Sequence, residues 1–273
     1  METRVDGDTV AADWFHGAKR VMFVHAHPDD ETIATGGTLA ALTEAGCEPL
    51  LVTLTRGERG EVVAGPLEHL AGTDGLAPHR QAELTAALAM LGVERHAFLG
   101  VPPARAEGLQ PTIYEDSGMA WRADGVAGPG ADATADALTV VPAVESLTDL
   151  LAAAHAAGAG AIVSYNDEGG YGHPDHVHAH RIGRAVALAL DLPFWEITEA
   201  DAADADGADA GAADEGAAPV ELHDISPWFD RKVVALRAYA TQLTVDGDDI
   251  VHVGGQRQPI SRVEAFRLLD APA

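Results

Sequence analysis

Two short segments hold most of the residues able to do chemistry. The first is His25-Ala26-His27-Pro28-Asp29-Asp30-Glu31, and the second is Gly169-Gly170-Tyr171-Gly172-His173-Pro174-Asp175-His176. From His27 onward the first places four ionisable groups within five residues. A bound cation or a helix N-terminus would compensate that crowding. Adjacent Asp29 and Asp30 must point in different directions, so one can ligate a metal while the other faces a reacting water. The competing reading is that both only cap the helix that follows. In the second segment Pro174 stiffens the turn, and the glycines let a substrate come close. Cys47 is the only cysteine, so a metal here must use imidazole and carboxylate, both of which suit zinc. Spacing leaves the ligand pair open, because His176 and His180 also lie one helical turn apart.

The elements around these segments explain how they would meet. The run Val21 to Ala26 reads as a strand, followed by a turn and a helix over Glu31 to Ala45 that Gly46 closes. A second strand, Pro49 to Thr55, leads through the loop Arg56 to Gly60 to a helix over His79 to Leu91, and His96 to Leu99 is a third strand. After a Pro/Gly-rich excursion from Val101 to Asp132, a helix over Val141 to Ala157 precedes the strand Ala161 to Tyr165, with a further loop and helix behind it. Strands alternating with such helices predict an α/β, Rossmann-like, mostly parallel sheet with helices on both faces. Ligands in such sheets sit beyond the carboxyl ends of the strands, where the loops at His27, Arg56 and Asn166 should converge. Two His-Pro-Asp turns at that edge agree in place and in chemistry, which favours metal binding over capping.

Composition excludes several function classes. Seventeen basic against 43 acidic side chains give a net charge of -26, which repels phosphate backbones and anionic lipid, so neither nucleic acid nor membrane is an expected partner. Met1 to Ala18 has no basic start followed by an apolar core, and no run of 18 apolar residues occurs. With one cysteine, a reducing cytoplasm is the expected compartment. An apolar share of 47% over 273 residues suits one domain with a sizeable core. Ala200 to Ala218 is nearly all Ala, Asp and Gly, and reads as a mobile acidic loop between strands near Phe194 and Val220.

The pair His27-Pro28-Asp29-Asp30-Glu31 and His173-Pro174-Asp175-His176 resembles the LmbE/PIG-L family of zinc-dependent de-N-acetylases, from Val21 to about Leu243. Three weaker blocks, Thr55 to Glu61, Asp116-Ser117-Gly118-Met119 and Ala240-Thr241-Gln242, are similar to members that act on N-acetylglucosaminyl-inositol in mycothiol biosynthesis. The resemblance implies that His27, Asp30 and His176 hold one Zn²⁺, with Fe²⁺ as the alternative ion, and that one coordination position stays open. It implies Asp29 as general base, and Tyr171 and His173 as stabilisers of the oxyanion formed from the acetamide. Either Asp29 or His173 then protonates the departing amine. Asp175 is expected to hydrogen-bond His173 and keep it charged. Glu61, Arg80 and Asp116 match positions that hold sugar hydroxyls, against the alternative that they are solvated loop charges.

The expected partner is therefore a small amino-sugar substrate. A mycothiol-conjugate amidase is the alternative activity; relatives of that type carry a lysine in the helix after the first motif, where this chain has Thr32, Ile33, Ala34 and Thr35. A carbohydrate-binding module without catalysis is a remote third reading, because it would not need Asp29 beside a three-ligand site. The chain departs from the family at Tyr239, where relatives often have histidine. His25, His155, His178, His180 and His252 are assigned no role.

Overall fold

The apolar run after Arg20 forms strand β1 (Val21–His25), with all five residues buried. Such continuous burial is what a parallel strand covered on both faces requires. Alternate side chains part company: Val21 and Phe23 enter one core, Met22 and Val24 the other. The structure, a computed structural model, describes residues 10–121, 127–199 and 220–269. The acidic stretch Ala200 to Ala218 lies outside the described residues.

In chain order the helices are α1 (Trp14–Gly17, a single turn), α2 (Asp30–Glu44), α3 (Leu76–Leu91), α4 (Ala143–Ala157), α5 (Gly169–Gly172, again one turn), α6 (Pro174–Leu190) and α7 (Phe229–Leu236). The strands after β1 are β2 (Leu50–Thr53), β3 (Arg95–Phe98), β4 (Ala120–Trp121), β5 (Ala127–Gly128), β6 (Ala161–Ser164), β7 (Phe194–Thr198), β8 (Val220–Asp224), β9 (Leu243–Asp246), β10 (Asp249–His252), β11 (Arg257–Pro259) and β12 (Val263–Leu269). Every strand and helix expected from the sequence is present, with ends moved by three residues at most. The region after α7 carried no expectation. It forms the antiparallel sheet β9 to β11 and the long strand β12, whose short, polar, partly exposed segments leave little period-2 signal.

The main sheet has seven strands in the order β3-β2-β1-β6-β7-β12-β8. The first five run parallel, and β12 pairs antiparallel with both β7 and β8. One core lies between the sheet and α2, α3 and α7, built on Phe23, Leu51, Leu88, Trp195 and Phe266. The other joins the sheet to α4 and α6 through Val24, Val52, Leu150, Ile162 and Val186. α2 is buried on nearly every side. A Cβ at Gly37 would lie 2.5 Å from Cβ of Ile225, so only glycine permits that approach, and Glu264 accepts the amides of Gly37 and Thr38 as well as the ammonium of Lys232 at 2.7 Å.

This order places the topological switch between β1 and β6. From β1 the chain moves outward through β2 to β3, then returns to lay β6 on the other side of β1. The loops leaving two adjacent parallel strands then diverge to opposite faces and open a crevice between them. Those loops are the ones that begin with Ala26-His27 and Tyr165-Asn166. Among the described residues, no helix is long and apolar enough to cross a membrane.

Candidate metal centre and active site

Each motif enters its helix through a proline turn. His173 is the N-cap of α6, Pro174 occupies the first turn, and the Asp175 amide donates to His173 Nδ1 at 3.2 Å. Across the crevice Asp30 begins α2, and the His27 amide donates to Asp30 Oδ2 at 2.9 Å. The switch point brings the two turns together. His27 Nδ1 and His176 Nε2 lie 3.2 and 3.3 Å from Asp30 Oδ2, and 3.4 Å from each other.

Those three separations form a nearly equilateral triangle. Donors bound at about 2.0 to 2.1 Å around a tetrahedral ion lie about 3.3 to 3.4 Å apart, so the triangle fits one face of such a site. The ring nitrogens on the far side are occupied. His27 Nε2 faces Asp175 Oδ2 at 3.2 Å and His176 Nδ1 faces the Gly169 carbonyl at 3.3 Å, acceptors that place the ring protons there. The nitrogens left over both point at an Asp30 oxygen that already accepts the Tyr165 hydroxyl at 2.8 Å and the His27 amide. A cation satisfies all three donors at once. Burial alone would lower the pKa of His27, yet Asp116, Asp175 and Asp30 outweigh it and hold it well above the ordinary imidazole value. Asp30 is likewise held well below the usual carboxylate range, because His176 and His27 overcome the effect of burial. The pocket is built to hold positive charge.

Other donor groups adjoin the triangle: His27 with His173 and His176, and His27 with Asp116 and Asp175. In the first, His173 already uses Nδ1 to accept the Asp175 amide. In the second, Asp175 Oδ2 accepts the Ser117 amide at 2.9 Å and faces His27 from behind, on the side away from Asp30. In the His27, Asp30 and His176 set, the two inward ring nitrogens face only each other and Asp30 Oδ2, with no protein donor between them.

Asp29 sits beside this triangle with an unusual backbone. Its φ of 120° and ψ of -36° lie outside the regions open to most L residues, a conformation that costs about 1 to 3 kcal/mol and is found mainly where function demands it. Burial pushes its carboxyl up to about 8 against the opposing pull of Arg80, with Asp30 and Glu31 adding to the rise. A carboxyl raised in this way can both take and give a proton near neutrality.

The remaining expected residues fall into two groups. Tyr171 is 64% exposed, with its ring 5.3 Å from that of His176 and 6.0 Å from that of His173, so it can reach a bound substrate. Asp116 is buried, with Oδ1 3.7 Å from His27 Nε2. Arg80 differs from the expectation of an open hydroxyl-binding fork. It is 3% exposed and donates to the carbonyls of Gly57 at 2.7 Å and Pro28 at 2.5 Å, with Asp29 Oδ2 at 3.3 Å. A Cβ at Gly60 would lie 2.6 Å from its Nη1, which accounts for that glycine. Glu61 is exposed beside Gly60, one residue outside this packed layer. The expected bond between Asp175 and the His173 ring is also corrected. The carboxylate goes to His27 and only the Asp175 amide reaches His173, while burial, then the nearby His27 and His176, push His173 down to about 3 and leave it neutral.

Four contributors had no role assigned from the sequence, although Tyr239 stood out there as a departure from the family and Glu31 as part of the first motif. Tyr165 donates to Asp30, accepts the Ala26 amide at 2.9 Å and stacks on His176 with ring centres 4.0 Å apart. Ser117 orients Asp175 through its amide, and its hydroxyl accepts the amide and hydroxyl of Thr139. Glu31 and Tyr239 are both fully buried and joined by a short hydrogen bond. Tyr165 ends an apolar strand and looks like core, so its hydroxyl gave no local signal. His25 bonds Thr35 through Nε2 and is pushed down to about 4 by burial.

Comparison with known proteins identifies the family of the chain. The family model described as GlcNAc-PI de-N-acetylase matches residues 22–187, which include both motifs. A protein of Kineococcus radiotolerans named 1D-myo-inositol 2-acetamido-2-deoxy-alpha-D-glucopyranoside deacetylase is 36% identical over 291 aligned positions, covering 93% of this chain and 78% of the relative. One of the same name from Thermobifida fusca is also 36% identical, covering 93% and 94%. The solved structure of the A40926 pseudoaglycone deacetylase is 18% identical and overlays with a TM-score of 0.59 over 93% of this chain and 99% of that one, a likeness of fold. On the family match and these relatives, the chain belongs to the GlcNAc-PI de-N-acetylase (PIG-L) family.

Proposed function

We propose that this enzyme hydrolyses the acetamide of 1D-myo-inositol 2-acetamido-2-deoxy-alpha-D-glucopyranoside, releasing acetate and the free amine, with one Zn²⁺ held by His27, Asp30 and His176. The observation that carries the chemistry is the convergent triangle of those three side chains with Asp29 beside it. The substrate rests on the shared name of relatives similar over more than nine-tenths of the chain. Fe²⁺ accepts the same donors, so the ion loaded depends on supply.

A divalent ion in that triangle supplies Lewis acidity, polarising the acetamide carbonyl and making water more acidic. Asp29 accepts the proton of the attacking water and returns it to the departing amine. His173 acts as a neutral donor. Its Nδ1 accepts the Asp175 amide, so the ring proton is on Nε2 and can be donated to the developing oxyanion. The exposed Tyr171 hydroxyl adds a second donor from the solvent side. Asp175 fixes the His27 ring from behind. Asp116 accepts a sugar hydroxyl near the acetamide and Glu61 one farther out, while Arg80 acts through Asp29 and the Pro28 carbonyl.

An amine-release assay on a panel of N-acetylglucosaminides, run with zinc and with iron, tests this reading. The inositol conjugate should give the highest kcat/KM, and plain N-acetylglucosamine should be much poorer. Equal turnover of the two would overturn the substrate assignment and leave the deacetylase chemistry standing.

A further inference from the structure

Tyr239 lies 208 residues from Glu31, and its hydroxyl donates to Glu31 Oε1 where both side chains are fully buried. Thr32 Oγ1 donates to the same oxygen at 2.5 Å, and Glu31 Oε2 accepts the Asp29 amide at 3.2 Å. On the other side of that peptide unit the Pro28 carbonyl accepts Arg80 Nη2. The Pro28–Asp29 peptide is thus gripped at both poles, its N–H by a carboxylate and its C=O by a guanidinium.

That peptide is also where the backbone departs from its ordinary range. Turning its plane over would carry the Asp29 φ of 120° back to a negative value, which L residues prefer. The turn would also aim the carbonyl at Glu31 and the amide at Arg80, so that each polar end would meet a group of its own kind. Glu31 can oppose the flip only while its own carboxylate stays in place, and Tyr239 and Thr32 are what hold it.

We propose that Tyr239 and Glu31, with Arg80 opposite, lock the Pro28–Asp29 peptide and thereby aim the Asp29 carboxylate at the metal triangle. This rests on the reading of Asp29 as the base. Tyr239 and Glu31 are positioning residues, since neither touches the reacting atoms. The lock explains why a buried acid follows Asp30 directly and why a fully buried tyrosine spends its hydroxyl on that acid rather than on the backbone around it.

Tyr239→Phe keeps the ring and deletes the donor. It should lower kcat about 5- to 20-fold, with KM and metal content unchanged, because only the aim of the base is lost. Hydrogen exchange of the Asp29 amide should become about 10-fold faster or more. Tyr239→His restores a donor and should recover most of kcat. Should Tyr239→Phe fail to fold, Thr32→Val removes the second donor to Glu31 and is read in the same way. An unchanged kcat with unchanged Asp29 exchange overturns the lock. So does a kcat loss that is explained by lost metal or raised KM, or that Tyr239→His does not relieve. If the wild-type enzyme shows no deacetylase turnover, the proposed function fails, while Asp29 exchange in the two forms still decides whether the lock exists.

Discussion

The two ends of the parallel strands both collect charged residues, and only at the carboxyl end, among the described residues, do buried donor groups converge. At the amino end Lys19, Arg20, Gly46, Glu48, Gly158 and Gly160 line a cleft of about 390 Å³. Its paired charges stay exposed: Arg20 Nε meets Glu48 Oε2 at 2.7 Å with about half of each side chain exposed, and Arg95 donates to the carbonyls of Glu48 and Ala157. At the carboxyl end His27, His176 and Asp175 are almost wholly buried, and the lone pairs of the two histidines converge on one carboxylate oxygen. A cavity lined by charge is therefore not enough. What distinguishes the carboxyl end is that its charged groups have been desolvated without being fully paired among themselves, which leaves free energy for an ion to recover.

The largest effect that would test this contrast is loss of the ion. His27→Ala, Asp30→Ala and His176→Ala should each abolish tight binding of close to one metal per chain, with deacetylation lost alongside. Metal analysis after gel filtration, paired with the amine-release assay, checks this. Full occupancy in Asp30→Ala with loss in His27→Ala would move the centre to one of the neighbouring donor groups, both of which include His27, and full occupancy in all three variants would refute the centre altogether. Asp29→Asn comes next: it should keep the metal and lower kcat about 10²- to 10⁴-fold, the usual worth of a positioned acid or base. Near-normal kcat in a folded, metal-loaded Asp29→Asn enzyme would transfer the base role to His173.

A smaller effect is expected where the site meets the sugar. Asp116→Ala should lower kcat/KM for the inositol conjugate about 10- to 100-fold, as for the loss of a hydrogen bond to a charged group worth about 1.5 to 3 kcal/mol. Steady-state kinetics on the conjugate and on plain N-acetylglucosamine measure it, and an equal loss on both would confine Asp116 to the acetamide end. Smallest of all is the amino-end pair. Arg20→Ala should change stability by less than about 1 kcal/mol and leave metal content and kcat alone, because exposed pairs are screened and flexible. A larger loss in urea denaturation would show that the amino-end cleft is not the passive surface its exposure implies.

The contrast also sorts what could be read in advance. The main-sheet strands and the long helices up to α6 followed from apolar runs, caps and glycine stops, as Gly46 does after α2 with its φ of 75°, while the single turns α1 and α5 and the short pair β4 and β5 did not. The strands of the C-terminal region gave weaker patterns because β11 is exposed along its length and β9 alternates between buried and exposed positions over only four residues. For the site, His27, Asp29, Asp30, His173 and His176 were legible as residue types at two turns. The role of Arg80 was not, because an arginine in a sequence does not reveal that two backbone carbonyls and Asp29 will enclose it.

By itself the sequence determined the donor types, the absence of a thiol alternative, the alternation that makes a parallel sheet and the position of each His-Pro-Asp turn at a strand end. These are local properties, set by side-chain chemistry and by backbone preferences within a few residues. The tertiary structure decided which strands are neighbours, and hence that residues about 149 apart, His27 and His176, share one carboxylate oxygen. It decided which nitrogen of each imidazole faces the triangle, that Asp175 backs His27 rather than His173, that Tyr165 belongs to the site at all, and that Tyr239 meets Glu31 there. Ring orientation and second partners depend on directional hydrogen bonds between segments that meet only when β6 docks beside β1, and no local pattern along the chain records that meeting.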